Sequence, residues 1–72
     1  MRILVVEDEE LLAATVKRGL ESDGHLVVVA PDGTDGLRRA TEEQYDVVVL
    51  DIMMPGLNGH EVLRRLRDTN IW

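Results

Sequence analysis

Apolar residues alternate along this chain between two patterns. Ile3-Leu4-Val5-Val6, Leu26-Val27-Val28-Val29-Ala30 and Val47-Val48-Val49-Leu50 are short continuous runs rich in β-branched side chains. Runs of that length and composition predict strands covered on both faces. They place the first strand over Ile3–Val6, the second over Leu26–Ala30 with Pro31 closing it, and the third over Asp46–Leu50. Between them the period shifts to that of a helix. From Glu9 to about Asp23, Leu12, Val16 and Leu20 recur at i, i+4 and i+8 as an inward stripe, and Gly24 supplies a left-handed stop. Asp32 caps a second helix, Asp35 adds charge in its first turn, Leu37 and Ala40 turn inward, and the pattern fades near Glu43. After Pro55-Gly56, Asn58 and Glu61 have the spacing of a capping box, and Val62, Leu63 and Leu66 make the stripe of a third helix. Strands alternating with helices imply parallel pairing through right-handed crossovers, here a βαβαβα chain with no internal linker.

Size and charge narrow what such a chain does. Its 72 residues allow one domain, and a chain that short buries only roughly 60% of its unfolded surface. It has no cysteine, so neither a disulfide nor a thiolate metal site supports the core. The composition fits a reducing cytosol, and a cytoplasmic location is expected. The apolar stretch after Met1 is too short for a secretory signal, and no stretch approaches the ~20 apolar residues that cross a bilayer. Net charge is −6, from 14 acidic and 8 basic residues. That balance argues against nucleic-acid binding by this segment, which needs clustered Lys and Arg. Arg38-Arg39 and Arg64-Arg65-Arg67 lie in predicted helices and read as solvated faces. One Trp and one Tyr supply no stacking platform.

The candidate chemistry sits where two strands end. Asp51 follows Val47-Val48-Val49-Leu50, and Glu7-Asp8 follows Ile3-Leu4-Val5-Val6. If those strands are parallel neighbours, three carboxylates converge on one edge of the sheet, where ligands of such folds gather. The cluster would call for a cation and would surround an acid able to act as a nucleophile. Each residue also has a plainer use. Glu7, Asp8, Glu9 and Glu10 suit the positive end of the first helix, and Asp51 suits a turn. It is the conjunction of both acidic positions in one βαβαβ unit that favours a site. His25 reads as an exposed turn residue and His60 lacks His or Cys partners at ligand spacing. Met53 and Met54 read as apolar loop packing, with Pro55 and Gly56 fixing that loop.

Three stretches together resemble the receiver domain of bacterial two-component response regulators. They are Ile3-Leu4-Val5-Val6-Glu7-Asp8-Glu9, Asp32-Gly33 with Gly36-Leu37, and Val48-Val49-Leu50-Asp51-Ile52-Met53-Met54-Pro55-Gly56-Leu57-Asn58-Gly59. The resemblance covers all 72 residues. It implies the first βαβαβα portion of a flavodoxin-like, doubly wound parallel sheet with strand order 2-1-3, lacking the last two βα units. It implies Asp51 as phosphoacceptor, with Glu7, Asp8, Asp51 and the backbone carbonyl of Met53 holding Mg²⁺. A sensor histidine kinase would be the phosphodonor. The parent would be a DNA-binding transcriptional regulator, with no enzymatic activity beyond Mg²⁺-dependent self-phosphorylation and dephosphorylation at Asp51.

The family's hydroxyl-bearing switch residue and its lysine lie on strands that this sequence does not include. The chain is therefore expected to be the N-terminal part, residues 1–72, of a receiver with no output domain. The third strand then becomes an unpaired apolar edge, a template for another chain. An alternative follows: a signalling-inert fragment that self-associates through that strand or by swapped elements. A Mg²⁺-dependent phosphohydrolase would need a second catalytic acid at matching spacing, and a flavodoxin-type cofactor binder a Gly-rich first loop in place of an acidic one.

Overall fold

The computed structural model describes residues 1–51 and 59–68. Along them run β1 (Arg2–Val6), α1 (Glu10–Ser22), β2 (Leu26–Ala30), α2 (Gly33–Glu42), β3 (Val47–Leu50) and α3 (Gly59–Asp68). The readings made at Met53, Met54, Pro55, Gly56, Asn58 and Trp72 lie outside the described residues. The strands form one sheet in the order β2-β1-β3. Both neighbours of β1 are parallel to it, with Val6 opposite Ala30 on one side and Leu50 on the other. The α/β class is that read from the alternating pattern, and the 2-1-3 order is that implied by the receiver resemblance.

Central position explains why β1 is the most buried strand. Ile3, Leu4, Val5 and Val6 are all buried, and each alternate pair meets a different layer. Leu4 and Val6 pack with Ala30, Ala40 of α2, and Val62 and Leu66 of α3. Ile3 and Val5 pack with Val27, and Val16 and Leu20 of α1 close over them. The sheet thus carries α2 and α3 on one face and α1 on the other.

Local signals set the ends of these elements. Gly24 has φ 91°, and the N–H groups of Gly24 and His25 return to the carbonyls of Glu21 and Leu20. Those bonds satisfy the last turn of α1 and need a left-handed residue after it. The Asp32 carboxylate accepts the Asp35 N–H at 2.7 Å, capping α2 as expected. On the solvated sides of α2 and α3 the arginines bond within their own helices, Arg38 and Arg39 to Asp35, and Arg64 and Arg65 to Glu61.

Two stripes differ from expectation. Leu12 is 47% exposed, and Ala13 is the buried residue of α1 instead. α1 lies over β2 and β1, which leaves the β3 side of that face less covered. There Val47 and Val49, in register with Ile3 and Val5, are themselves 36% and 41% exposed. In α3, Val62 and Leu66 are buried whereas Leu63 turns outward. Asp46 lies just outside β3, and its carboxylate accepts the Arg2 N–H at 2.7 Å.

Gly36 marks a close approach between α2 and the central strand. A Cβ there would stand 2.7 and 2.8 Å from the two γ-methyls of Val6. A β-branched core side chain has little freedom to rotate away. Gly36→Ala should therefore destabilise the fold by about 1–3 kcal/mol, the usual range for overpacking. Denaturant unfolding of Gly36→Ala, Val6→Ala and the double variant checks this. The two changes should couple favourably, so that the double variant loses less than the sum of the singles; simple additivity would contradict the contact.

Candidate functional site

Register brings the acidic positions together. β1 and β3 are parallel and in step, so the residues after Val6 and Leu50 emerge side by side at the carboxyl end of the sheet. Two ladder bonds continue past the strands and fix them. The Glu7 N–H donates to the Ala30 carbonyl at 3.0 Å, and the Asp51 N–H donates to the Val6 carbonyl at 3.0 Å. Asp8 follows in the turn into α1. One carboxylate oxygen from each of Glu7, Asp8 and Asp51 lies within 4.8 Å of the other two. Glu7 and Asp51 are half-buried, and Asp8 is exposed.

Electrostatics set this cluster apart from the other acids. Arg39 and then Arg38 hydrogen-bond to Asp35 and hold its carboxyl below the ordinary range. Arg64 and Arg65 do the same for Glu61. Glu7 moves the other way. Burial raises it most; the Glu9 N–H partly offsets this, and the Asp51 charge, a side-chain hydrogen bond with Asp51 and the Asp8 charge raise it further. Burial and like charges both penalise the ionised form. A cation placed among the three oxygens would reverse that penalty.

The donor set suits one kind of ion. Mg²⁺ takes oxygens at about 2.0–2.1 Å in an octahedron, which puts neighbouring ligand atoms about 3 Å apart and opposite ones about 4 Å apart. Three oxygens within 4.8 Å need only a small closing movement to meet that spacing. All are hard carboxylate donors, and the exposure of Asp8 leaves room for the waters such an ion retains. The fourth ligand expected by resemblance, the Met53 carbonyl, lies outside the described residues.

The remaining sequence candidates stay apart from the cluster. Asp32 is occupied as the α2 cap. His25 is half-buried rather than exposed, and its Nδ1 lies 3.1 Å from the Met1 amine at the opposite end of the sheet. His60 is exposed in the first turn of α3. Glu9, read from the sequence only as an acid at the positive end of the first helix, has a more specific place beside the site. It accepts the Leu11 and Leu12 N–H groups and sends its own N–H to Glu7 Oε1 at 3.2 Å. The sequence did not signal the cap itself, since the residues favoured there are Ser, Thr, Asp and Asn.

Comparisons with known proteins agree with this arrangement. Residues 3–71 match the family model described as the response regulator receiver domain. The uncharacterized transcriptional regulatory protein YkoG of Bacillus subtilis (strain 168) is 52% identical over 68 residues, covering 94% of this chain and 30% of YkoG. The chain thus spans about a third or less of the curated regulators it matches. Among solved structures, the receiver domain of the Francisella response regulator 1452 superposes with a TM-score of 0.94 at 38% identity, over 97% of this chain and 58% of that one. Thermotoga maritima TrrA, solved in complex with Mg²⁺-BeF, gives 0.91 at 38% identity over 94% of this chain and 59% of its own. TrrA has also been solved in complex with the histidine kinase ThkA, with a TM-score of 0.87 at 39% identity over 93% of this chain and 58% of that one. The parallel 2-1-3 sheet, the paired acidic strand ends and the match over residues 3–71 lead to one conclusion: this chain belongs to the response regulator receiver domain family.

Proposed function

We propose that the chain is a phosphoacceptor module in which Asp51 receives a phosphoryl group from a sensor histidine kinase. The observation that carries this reading is the convergence of Glu7, Asp8 and Asp51 at the carboxyl ends of β1 and β3. The Asp51 carboxylate is the nucleophile: one oxygen bonds to phosphorus, the P–N bond to the donor imidazole breaks, and the bonding pair leaves with that nitrogen. The bond from the Asp51 N–H to the Val6 carbonyl keeps the nucleophile at a fixed depth against the sheet. Glu7 and Asp8, with Asp51 and the Met53 backbone carbonyl, would hold Mg²⁺. When bound, the ion offsets the negative charge that nucleophile and phosphoryl group share.

Partner and setting follow from the relatives. TrrA was crystallised with a histidine kinase, which supports a kinase as donor here. YkoG and TcrA are named as transcriptional regulatory proteins, which supports a parent that regulates transcription in the cytoplasm. With a net charge of −6, this segment would leave DNA contact to other parts of such a parent. No helix among the described residues is long and apolar enough to cross a membrane.

A second reading rests on the sheet edge. Among the described residues β3 has a neighbour on one side only, and Val47 and Val49 are substantially exposed. A second copy that pairs with or covers this strand would bury both valines and satisfy its free backbone groups. In that form the chain would be an assembling fragment whose acidic site is inert. Sedimentation of the 72-residue chain tests it. Self-association raises the sedimentation coefficient with concentration, whereas a compact monomer throughout the micromolar range would sink it.

Phosphorylation is tested with a small phosphodonor and Mg²⁺, followed by intact-mass measurement. The unsubstituted protein should gain one phosphoryl group, and Asp51→Asn should gain none. An equal gain in both would remove Asp51 from its role. Glu7 supplies a test on a separate axis. Its folded pKa lies above the ordinary 4.5, so its contribution to stability is full below that value and is lost as pH rises through the folded pKa. Without divalent cations, Glu7→Gln should therefore melt at a higher temperature than the unsubstituted protein at neutral pH, with the gap closing in acid. Added Mg²⁺ should invert that order, and thermal melts at two pH values check both halves.

A further inference from the structure

We infer that Glu9 is a positioning residue for the metal site, acting through the cap of α1 and not as a ligand. The proposal rests on the metal-site reading given above and adds the device that holds Glu7 in place. Four bonds meet at Glu9. Its carboxylate accepts the Leu11 N–H at 3.2 Å and the Leu12 N–H at 2.9 Å. Its carbonyl accepts the Ala13 N–H at 3.0 Å, the first bond of the helix ladder. Its own N–H points back to Glu7 Oε1 at 3.2 Å. The first two fix the extended backbone at Glu9, with φ −84° and ψ 110°, and that conformation aims the N–H at Glu7.

Glu7 is thereby held from both ends. Its backbone is pinned by the Ala30 carbonyl, and one side-chain oxygen is pinned by Glu9. A ligand with a fixed carboxylate loses less freedom when the ion arrives, so its supporting partner contributes to affinity without touching the metal. Without the cap, the turn between β1 and α1 can take other conformations, and the Glu9 N–H no longer has a fixed aim. A short polar side chain at this position can cap the same N–H groups.

Mg²⁺ titrations of the unsubstituted protein, Glu9→Ala, Glu9→Ser and Asp51→Asn separate the possibilities, with circular dichroism confirming that each variant is folded. Glu9→Ala should weaken Mg²⁺ binding by up to about ten-fold, the low end of the cost of losing a supporting partner. Glu9→Ser, which restores a cap without the charge, should recover most of that loss. If Glu9→Ser binds as weakly as Glu9→Ala, the effect is one of charge and the capping role is overturned. If Glu9→Ala is destabilised but binds Mg²⁺ with unchanged affinity, Glu9 serves the helix alone and the proposal fails while the site reading stands. If the unsubstituted protein and Asp51→Asn bind Mg²⁺ equally, or neither binds, the site reading itself fails and the proposal goes with it.

Discussion

Most of what this chain can do depends on the environment of one residue, Val6. Its carbonyl accepts the Asp51 N–H, its side chain meets the bare Cα of Gly36, and Glu7 follows it directly. Because β1 is central and parallel to both neighbours, each of these contacts crosses to a different element. The ladder to β3 places Asp51, the ladder to β2 places Glu7, and α2 presses on the central strand from which both ladders run. Close-packed interiors transmit strain instead of absorbing it. A disturbance at the α2–sheet contact would therefore reach the acidic cluster without passing through solvent.

The cluster itself opposes the fold that assembles it. Gathering three carboxylates within 4.8 Å, two of them half-buried, raises the free energy of the ionised state. The elevated Glu7 carboxyl records that opposition, and the Glu9 N–H relieves part of it. Elsewhere the chain answers acidic side chains with arginine, at Asp35 and at Glu61. An acidic cluster maintained against repulsion at the ligand-binding end of a parallel sheet is the arrangement required of a cation-dependent acceptor. An ion held there would let the acids coexist and, under the proposed function, would offset the charge of an anionic phosphoryl donor.

The sequence showed most of the fold, because its signals were local and agreed with one another. Three β-branched runs gave the strands, Gly24 and Asp32 gave a helix stop and a cap, the alternation gave the parallel pairing, and the receiver resemblance gave the order. Glu7, Asp8 and Asp51 could be placed together once β1 and β3 were taken as neighbours. Less legible were features set by lateral position. Leu12 fits the α1 stripe by period, but whether a stripe residue is covered depends on which strands lie beneath the helix. Leu63 likewise fits the α3 stripe by period and yet turns outward. The roles of Gly36 and Glu9 arise from a helix-to-strand approach and from a bond back across a turn, neither of which leaves a periodic trace.

Whether Glu7, Asp8 and Asp51 form one cation site decides what this end of the sheet does. Mn²⁺, which shares the oxygen preference of Mg²⁺, broadens the NMR signals of nuclei near it. Titrated into the protein at low stoichiometry, it should broaden the amides of Glu7, Asp8 and Asp51 first, spare those of His25 and Tyr45 near the opposite end of the sheet, and be displaced by Mg²⁺. Broadening that begins at Asp35, Glu42 or Glu61, or that spreads evenly over the acidic surface, would contradict a shared site.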